Sequence, residues 1–112
     1  KRLDIDFKPD ALLDTNICRV DGIIVLDIKG RLDTANARDF SMAIQPLLQE
    51  VNPNIIINCE QMSYISSSGL RCFLILQKSV QKNRGSLIIE AMKPEIKNIF
   101  EMTGCTSLFN IR

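Results

Sequence analysis

Three adjacent serines, Ser66, Ser67 and Ser68, lie between an apolar pair and a glycine in the stretch YISSSGLRCF, residues 64–73. A hydroxyl in that setting has three chemical uses: it can attack a carbonyl, cap a helix, or accept a phosphate. Attack needs a base, and the chain contains no histidine. That removes the Ser-His-Asp triad, the usual general base and the commonest metal ligand together. The GxSxG elbow fails as well, because Ile65 occupies the position of its first glycine. Capping and phosphorylation stay open, and both use one geometry. A serine oxygen at a helix start accepts a bond from a first-turn N–H, worth about 0.5–2 kcal/mol relative to alanine. The same unpaired amides and partial positive charge favour an added phosphate, which brings about −1.5 to −2 charge at pH 7. Gly69 leaves room for another backbone or a nucleotide to approach. No GxxxxGK[ST] loop or dinucleotide glycine pattern supports a nucleotide site.

Other residues invite chemistry less directly. Asp33 and Thr34 precede a helical pattern, where such a pair is commonly a cap. Arg71 and Lys78 fall on the polar side of the helix after the serines, either as a solvated face or as contacts for acidic groups of a partner. Cys18, Cys59, Cys72 and Cys105 are scattered, without a CxxC pair, among apolar neighbours. They read as reduced thiols buried as small hydrophobes, and therefore as a cytoplasmic chain. Met42, Met62, Met92 and Met102 read as core filler.

The elements that must position these groups follow from periodicity. Residues 1–15 form an N-terminal extension or an extra edge strand. Asp21-Gly22 between apolar runs predicts a hairpin with strands at about 16–20 and 23–29, the second ended by Gly30. Helical spacing begins after Asp33 or Thr34, and Pro46 should kink or divide that helix. The run IIIN, residues 55–58, is a short buried strand, and a helix starts near Ser68. Lys82 and Arg84 suit its C-terminal end, with Gly85 as the residue that stops it. SLIIEAM is a further strand. Pro94 opens the last helix, with Ile96, Ile99, Phe100 and Thr103 inward and Gly104 as stop. SLFNI is the last strand. The order β-β-α-β-α-β-α-β defines a mixed α/β fold: a four- to five-stranded sheet, an N-terminal antiparallel hairpin, then β-α repeats with helices packed over the sheet. At 112 residues, 46% hydrophobic, this is one domain, residues 16–112. A net charge of +1 from 14 basic and 13 acidic residues speaks against a nucleic-acid partner. No stretch reaches the roughly 20 apolar residues of a membrane helix, so no direct membrane insertion is expected.

Three blocks, GIIVLDIKGRLDT, NIIINCEQMSYISSSGLR and MKPEIKNIFEMTGCTSLFNI, resemble in order and spacing the STAS domain, the family of bacterial anti-sigma factor antagonists and of transporter cytoplasmic domains. The resemblance spans about residues 16–111. It implies a non-enzymatic, cytoplasmic regulatory domain without cofactor or metal, whose partners are an anti-sigma factor that is also a serine protein kinase, and a phosphatase. It makes Ser67 the phosphoacceptor and Asp33, Thr34, Ser66, Ser68, Gly69 and Arg71 the partner-binding residues. The antagonists commonly carry an aspartate where this chain has Ser66. The alternative that the resemblance leaves open is a STAS module of an anion or lipid transporter, acting as a structural or interaction domain.

Overall fold

Asp21 and Gly22 both adopt positive φ, 52° and 80°, as a tight two-residue hairpin requires if its twist is to match that of its strands. They join β1 (Leu13–Val20) to β2 (Ile23–Leu32) in antiparallel register, Val20 opposite Ile23 and Leu13 opposite Gly30. The computed structural model from which these elements are taken describes residues 12–112. The expected extension or edge strand at 1–15 therefore lies mostly outside the described residues, although residues 13–15 belong to β1. Beyond the hairpin follow α1 (Ala37–Ala43), β3 (Asn54–Ile65), α2 (Ser67–Lys82), β4 (Ser86–Glu90), α3 (Pro94–Met102) and β5 (Asn110–Ile111). The predicted element order holds throughout.

The sheet runs β1-β2-β3-β4-β5, with β2 to β5 mutually parallel. Because each parallel connection steps the same way and such crossovers share one hand, α1, α2 and α3 fall on one face. Ile24, Leu26 and Ile28 of β2, Ile55, Ile57 and Cys59 of β3, and Leu87 and Ile89 of β4 meet the helices there in a single core. Phe73 of α2 sits at its centre, with ring centroids 5.9 Å from Phe40 of α1 and 6.0 Å from Phe100 of α3. All four cysteines are free. No helix among the described residues is long and apolar enough to cross a membrane.

Several expectations are corrected. Gly30 does not end β2; with φ 96° it lies inside the strand, where Arg31 N–H donates to the Leu12 carbonyl at 2.8 Å. β3 is not confined to 55–58 but runs for 12 residues to Ile65. Its register against β2 shifts between Asp27 and Lys29 and again between Gly30 and Arg31, so the strand bulges, and the polar Glu60-Gln61 within it hides the continuation. Pro46 does divide its helix, leaving a separate 3-10 turn at Gln45–Gln49. The left-handed residue after α2 is Arg84, φ 60°, rather than Gly85. Thr103 is exposed and its hydroxyl donates to the Ile99 carbonyl. Of SLFNI only Asn110–Ile111 is strand, the two-residue β5; Ser107 and Leu108 belong to the 3-10 turn Thr106–Leu108. Of the methionines, Met62 is in the core, whereas Met42 and Met102 are 64% and 77% exposed.

Candidate functional site

The bulges carry β2 and β3 past the centre of the sheet, so that Leu32 and Ile65 end side by side. Ser66 N–H then donates to the Leu32 carbonyl at 2.8 Å, tying the start of α2 to the end of β2. Ser66 has extended backbone, φ −90° and ψ 172°, and its Oγ accepts from the Gly69 N–H at 3.1 Å. It is therefore the N-cap of α2, and at 7% exposure it is buried. Ser67 is the first helical residue and is exposed; Ser68, the second, is half-buried. The serines thus divide the roles that the sequence left together: Ser66 caps, and Ser67 presents its side chain to solvent.

Gly69 does not hold space for a ligand. A Cβ there would lie 2.7 Å from Leu32 Cγ and 3.0 Å from Ile65 Cγ1, so the missing side chain lets the first turn of α2 settle onto the two strand ends. Ser66 and Gly69, both expected at the partner surface, are buried here, where they hold the start of α2 against the two strand ends. Among the seven residues expected at the phosphoacceptor and partner surface, the exposed ones are Thr34, Ser67 and Arg71, with Asp33 and Ser68 half-buried.

The Asp33 loop is held by a reciprocal pair. Asp33 Oδ1 accepts from the Asn36 N–H at 3.1 Å, and Asn36 Oδ1 accepts from the Asp33 N–H at 2.9 Å. This is the geometry of a capping box, one turn ahead of α1. The Asn36 side chain also donates to the Arg31 carbonyl at 2.8 Å. Asn36 escaped the sequence reading; its spacing of three from Asp33 was the available signal. Also missed was Arg31, whose guanidinium carbon stands 4.4 Å from the Tyr64 ring centroid. Arg31 and Tyr64 are register partners two residues before Asp33 and Ser66, so a cation is fixed at this end of the sheet.

The electrostatics favour an added anion at Ser67. α2 has no acidic residue in its first turn, and Arg71 follows Ser67 by four residues, on the same helix face one turn on. The nearby thiol offers no nucleophile: burial raises the pKa of Cys72 above its ordinary 9.0, the Arg71 charge lowering it only in part. Burial pushes Cys59, deeper in the core, up to about 12. Both are protonated at neutral pH.

A mixed sheet with α1, α2 and α3 on one face, and a capped helix start locked to the adjoining strand ends, is the architecture of a known domain class. The chain belongs to the STAS domain family, whose model matches residues 15–112. It is 26% identical over 93 residues to BtrV of Bordetella bronchiseptica, provisionally named an anti-sigma factor antagonist, covering 83% of this chain and 80% of that protein. The crystal structure of an anti-sigma factor antagonist from Mycobacterium paratuberculosis superposes with a TM-score of 0.80 at 22% identity, covering 94% of this chain and 88% of the other. The Bacillus antagonist SpoIIAA, in its unphosphorylated form, gives a TM-score of 0.73 at 22% identity over 88% of each chain. Its phosphorylated form has also been solved and gives 0.67.

Proposed function

We propose that this chain is an anti-sigma factor antagonist: a non-catalytic regulatory domain that binds an anti-sigma factor with serine kinase activity, and is released when Ser67 is phosphorylated. The contact surface is the Asp33–Thr34 loop, Ser67, Ser68 and the exposed side of α2 beginning at Arg71, with Ser66 and Gly69 holding it in place. The domain, expected from residue 16, takes in the whole of β1 and so residues 13–112, and works in the cytoplasm, with a phosphatase resetting it. The observation that carries this reading is the division of labour between Ser66 and Ser67. Because Ser66 supplies the cap, the Ser67 hydroxyl can be modified without uncapping the helix.

The serine at position 66 also answers for the aspartate that antagonists commonly carry there. Serine and aspartate are near-equal N-caps, so the helix start is kept while one negative charge beside the acceptor is lost. Phosphate on Ser67 then meets the positive end of α2 and Arg71 rather than a neighbouring carboxylate. The fold tolerates it, and the change is felt by the partner through repulsion and bulk. The relatives matched over most of both chains carry the antagonist name, so the transporter-module alternative has the weaker support.

The test uses a purified serine kinase of anti-sigma type, with ATP and mass-spectrometric site mapping. Phosphate is expected on Ser67 alone, none on Ser67→Ala, and Ser67→Asp should bind the kinase at least about tenfold more weakly, as a like charge placed in an interface does. Phosphate on Ser66 or Ser68 instead, or undiminished binding by Ser67→Asp, would sink the assignment.

A further inference from the structure

The strongest feature outside the phosphoacceptor itself is a groove of about 500 Å³ between the outward side of α2 and the 3-10 turn Thr106–Leu108. Its apolar floor is formed by Leu74, Ile75 and Leu108, of which Ile75 and Leu108 are 46% and 51% exposed. Arg71 and Lys78 stand along it, and Gln77 Nε2 donates to the Leu108 carbonyl at 2.8 Å, pinning the turn to the helix as the groove's far wall. At 3.6 residues per turn, Ser67, Arg71, Leu74 and Lys78 fall on one stripe about 16 Å long, which leads from Ser67 into the groove that begins at Arg71. The charge here is one-sided. The whole chain is nearly balanced, yet the 16 residues of α2 contain Arg71, Lys78 and Lys82 and no acidic residue.

We propose that this groove receives an amphipathic helix of the protein partner, of about three turns, with apolar side chains against Leu74, Ile75 and Leu108 and acidic side chains against Arg71 and Lys78. The proposal rests on the reading of this chain as a partner-binding domain and specifies what the partner presents. Its occupant follows from shape and charge. A concave apolar floor suits the ridge of a helix, as in other helix-in-groove contacts, and does not fit a flat lipid surface. Two cations are few for a polyphosphate backbone. A second copy of this chain seated by the same face would set Arg71 and Lys78 against their own counterparts. The groove also supplies a route for the switch: phosphate on Ser67, four residues before Arg71, competes with the partner's acidic side chains for that guanidinium.

The probe is a pair of 15-residue helical peptides, each with leucines at alternating three- and four-residue spacing, flanked by glutamates in one and lysines in the other. Amide shifts of the full chain are followed by NMR during titration. Saturable shifts centred on Arg71, Leu74, Ile75, Lys78 and Leu108 with the glutamate peptide, at least about tenfold weaker with the lysine peptide, are expected. The double variant Arg71→Glu, Lys78→Glu, at two exposed positions, should invert that preference. Shifts elsewhere, none at all, or equal response to both peptides would overturn the proposal, as would concentration-dependent broadening of these residues in the chain alone, which would give the groove to a second copy. Binding only to anionic phosphatidylglycerol vesicles would also overturn it. Because phosphorylation of Ser67 by the kinase is read separately, loss of the groove leaves that reading standing, and loss of phosphorylation leaves the peptide result intact.

Discussion

Serine and aspartate at position 66 can satisfy the same amide, and that equivalence is central at the residue scale. The Ser66 Oγ to Gly69 N–H bond is buried, so removing it leaves a first-turn donor without its partner. Ser66→Ala should destabilise the domain by about 0.5–2 kcal/mol in urea titration, and Ser66→Asp should restore the loss. Once Ser67 carries phosphate, the order reverses: an aspartate at 66 places a second negative charge beside it, so the phosphorylated Ser66→Asp form should melt below the phosphorylated parent. Equal melting of the two would show that the charge at 66 is not felt at 67. Spacing identified the helix start, but three serines in a row look alike as letters. Only the backbone turn at Ser66 tells which oxygen points at the Gly69 amide and which points outward.

At the scale of elements, the end of α2 shows how two neighbouring residues share what one glycine was expected to do. Gly85 N–H donates to the Val80 carbonyl at 2.8 Å and Arg84 N–H to the Gln81 carbonyl at 3.2 Å, the paired bonds of a Schellman ending. Arg84 takes the left-handed conformation, which costs a residue with a Cβ about 1–2 kcal/mol. Gly85 is instead needed for space, since a Cβ there would collide with the Pro53 carbonyl oxygen. Arg84→Gly should therefore hold or raise stability, by up to about 1 kcal/mol after the entropic cost of glycine. Gly85→Ala should lose about 1–3 kcal/mol through overpacking. Chemical denaturation of the two variants checks the pair, and the opposite order would reverse the assignment. The sequence placed the helix end within a residue or two, but it carries no record of what stands opposite Gly85 across 32 positions of chain.

For the whole molecule, the single core sets a pH limit on the alkaline side. Cys59, wholly buried on β3, has its thiol pushed up to about 12 from 9.0. In the unfolded chain that thiol ionises near its ordinary value, whereas in the folded chain it keeps its proton. Between those two values the folded state binds more protons, so stability is intact below about pH 9 and falls as the pH climbs toward 12, by up to about 1.4 kcal/mol per pH unit. Cys59→Val should flatten that slope relative to the parent when denaturation midpoints are compared at pH 8 and 10.5; unchanged slopes would exclude the thiol. Taken alone, the sequence determined the element order, the antiparallel hairpin at Asp21-Gly22, the division at Pro46 and the place of the serine cluster, because these rest on local periodicity and turn chemistry. The tertiary structure alone decided that β3 continues through its polar Glu60-Gln61 stretch, that Gly69 is filled by Leu32 and Ile65, that Asn36 and Arg31 brace the sheet end beside Ser66, and that α2 meets the Thr106–Leu108 turn to form a groove. Each of these depends on groups distant in the chain approaching within contact distance, and short-range pattern holds no term for that.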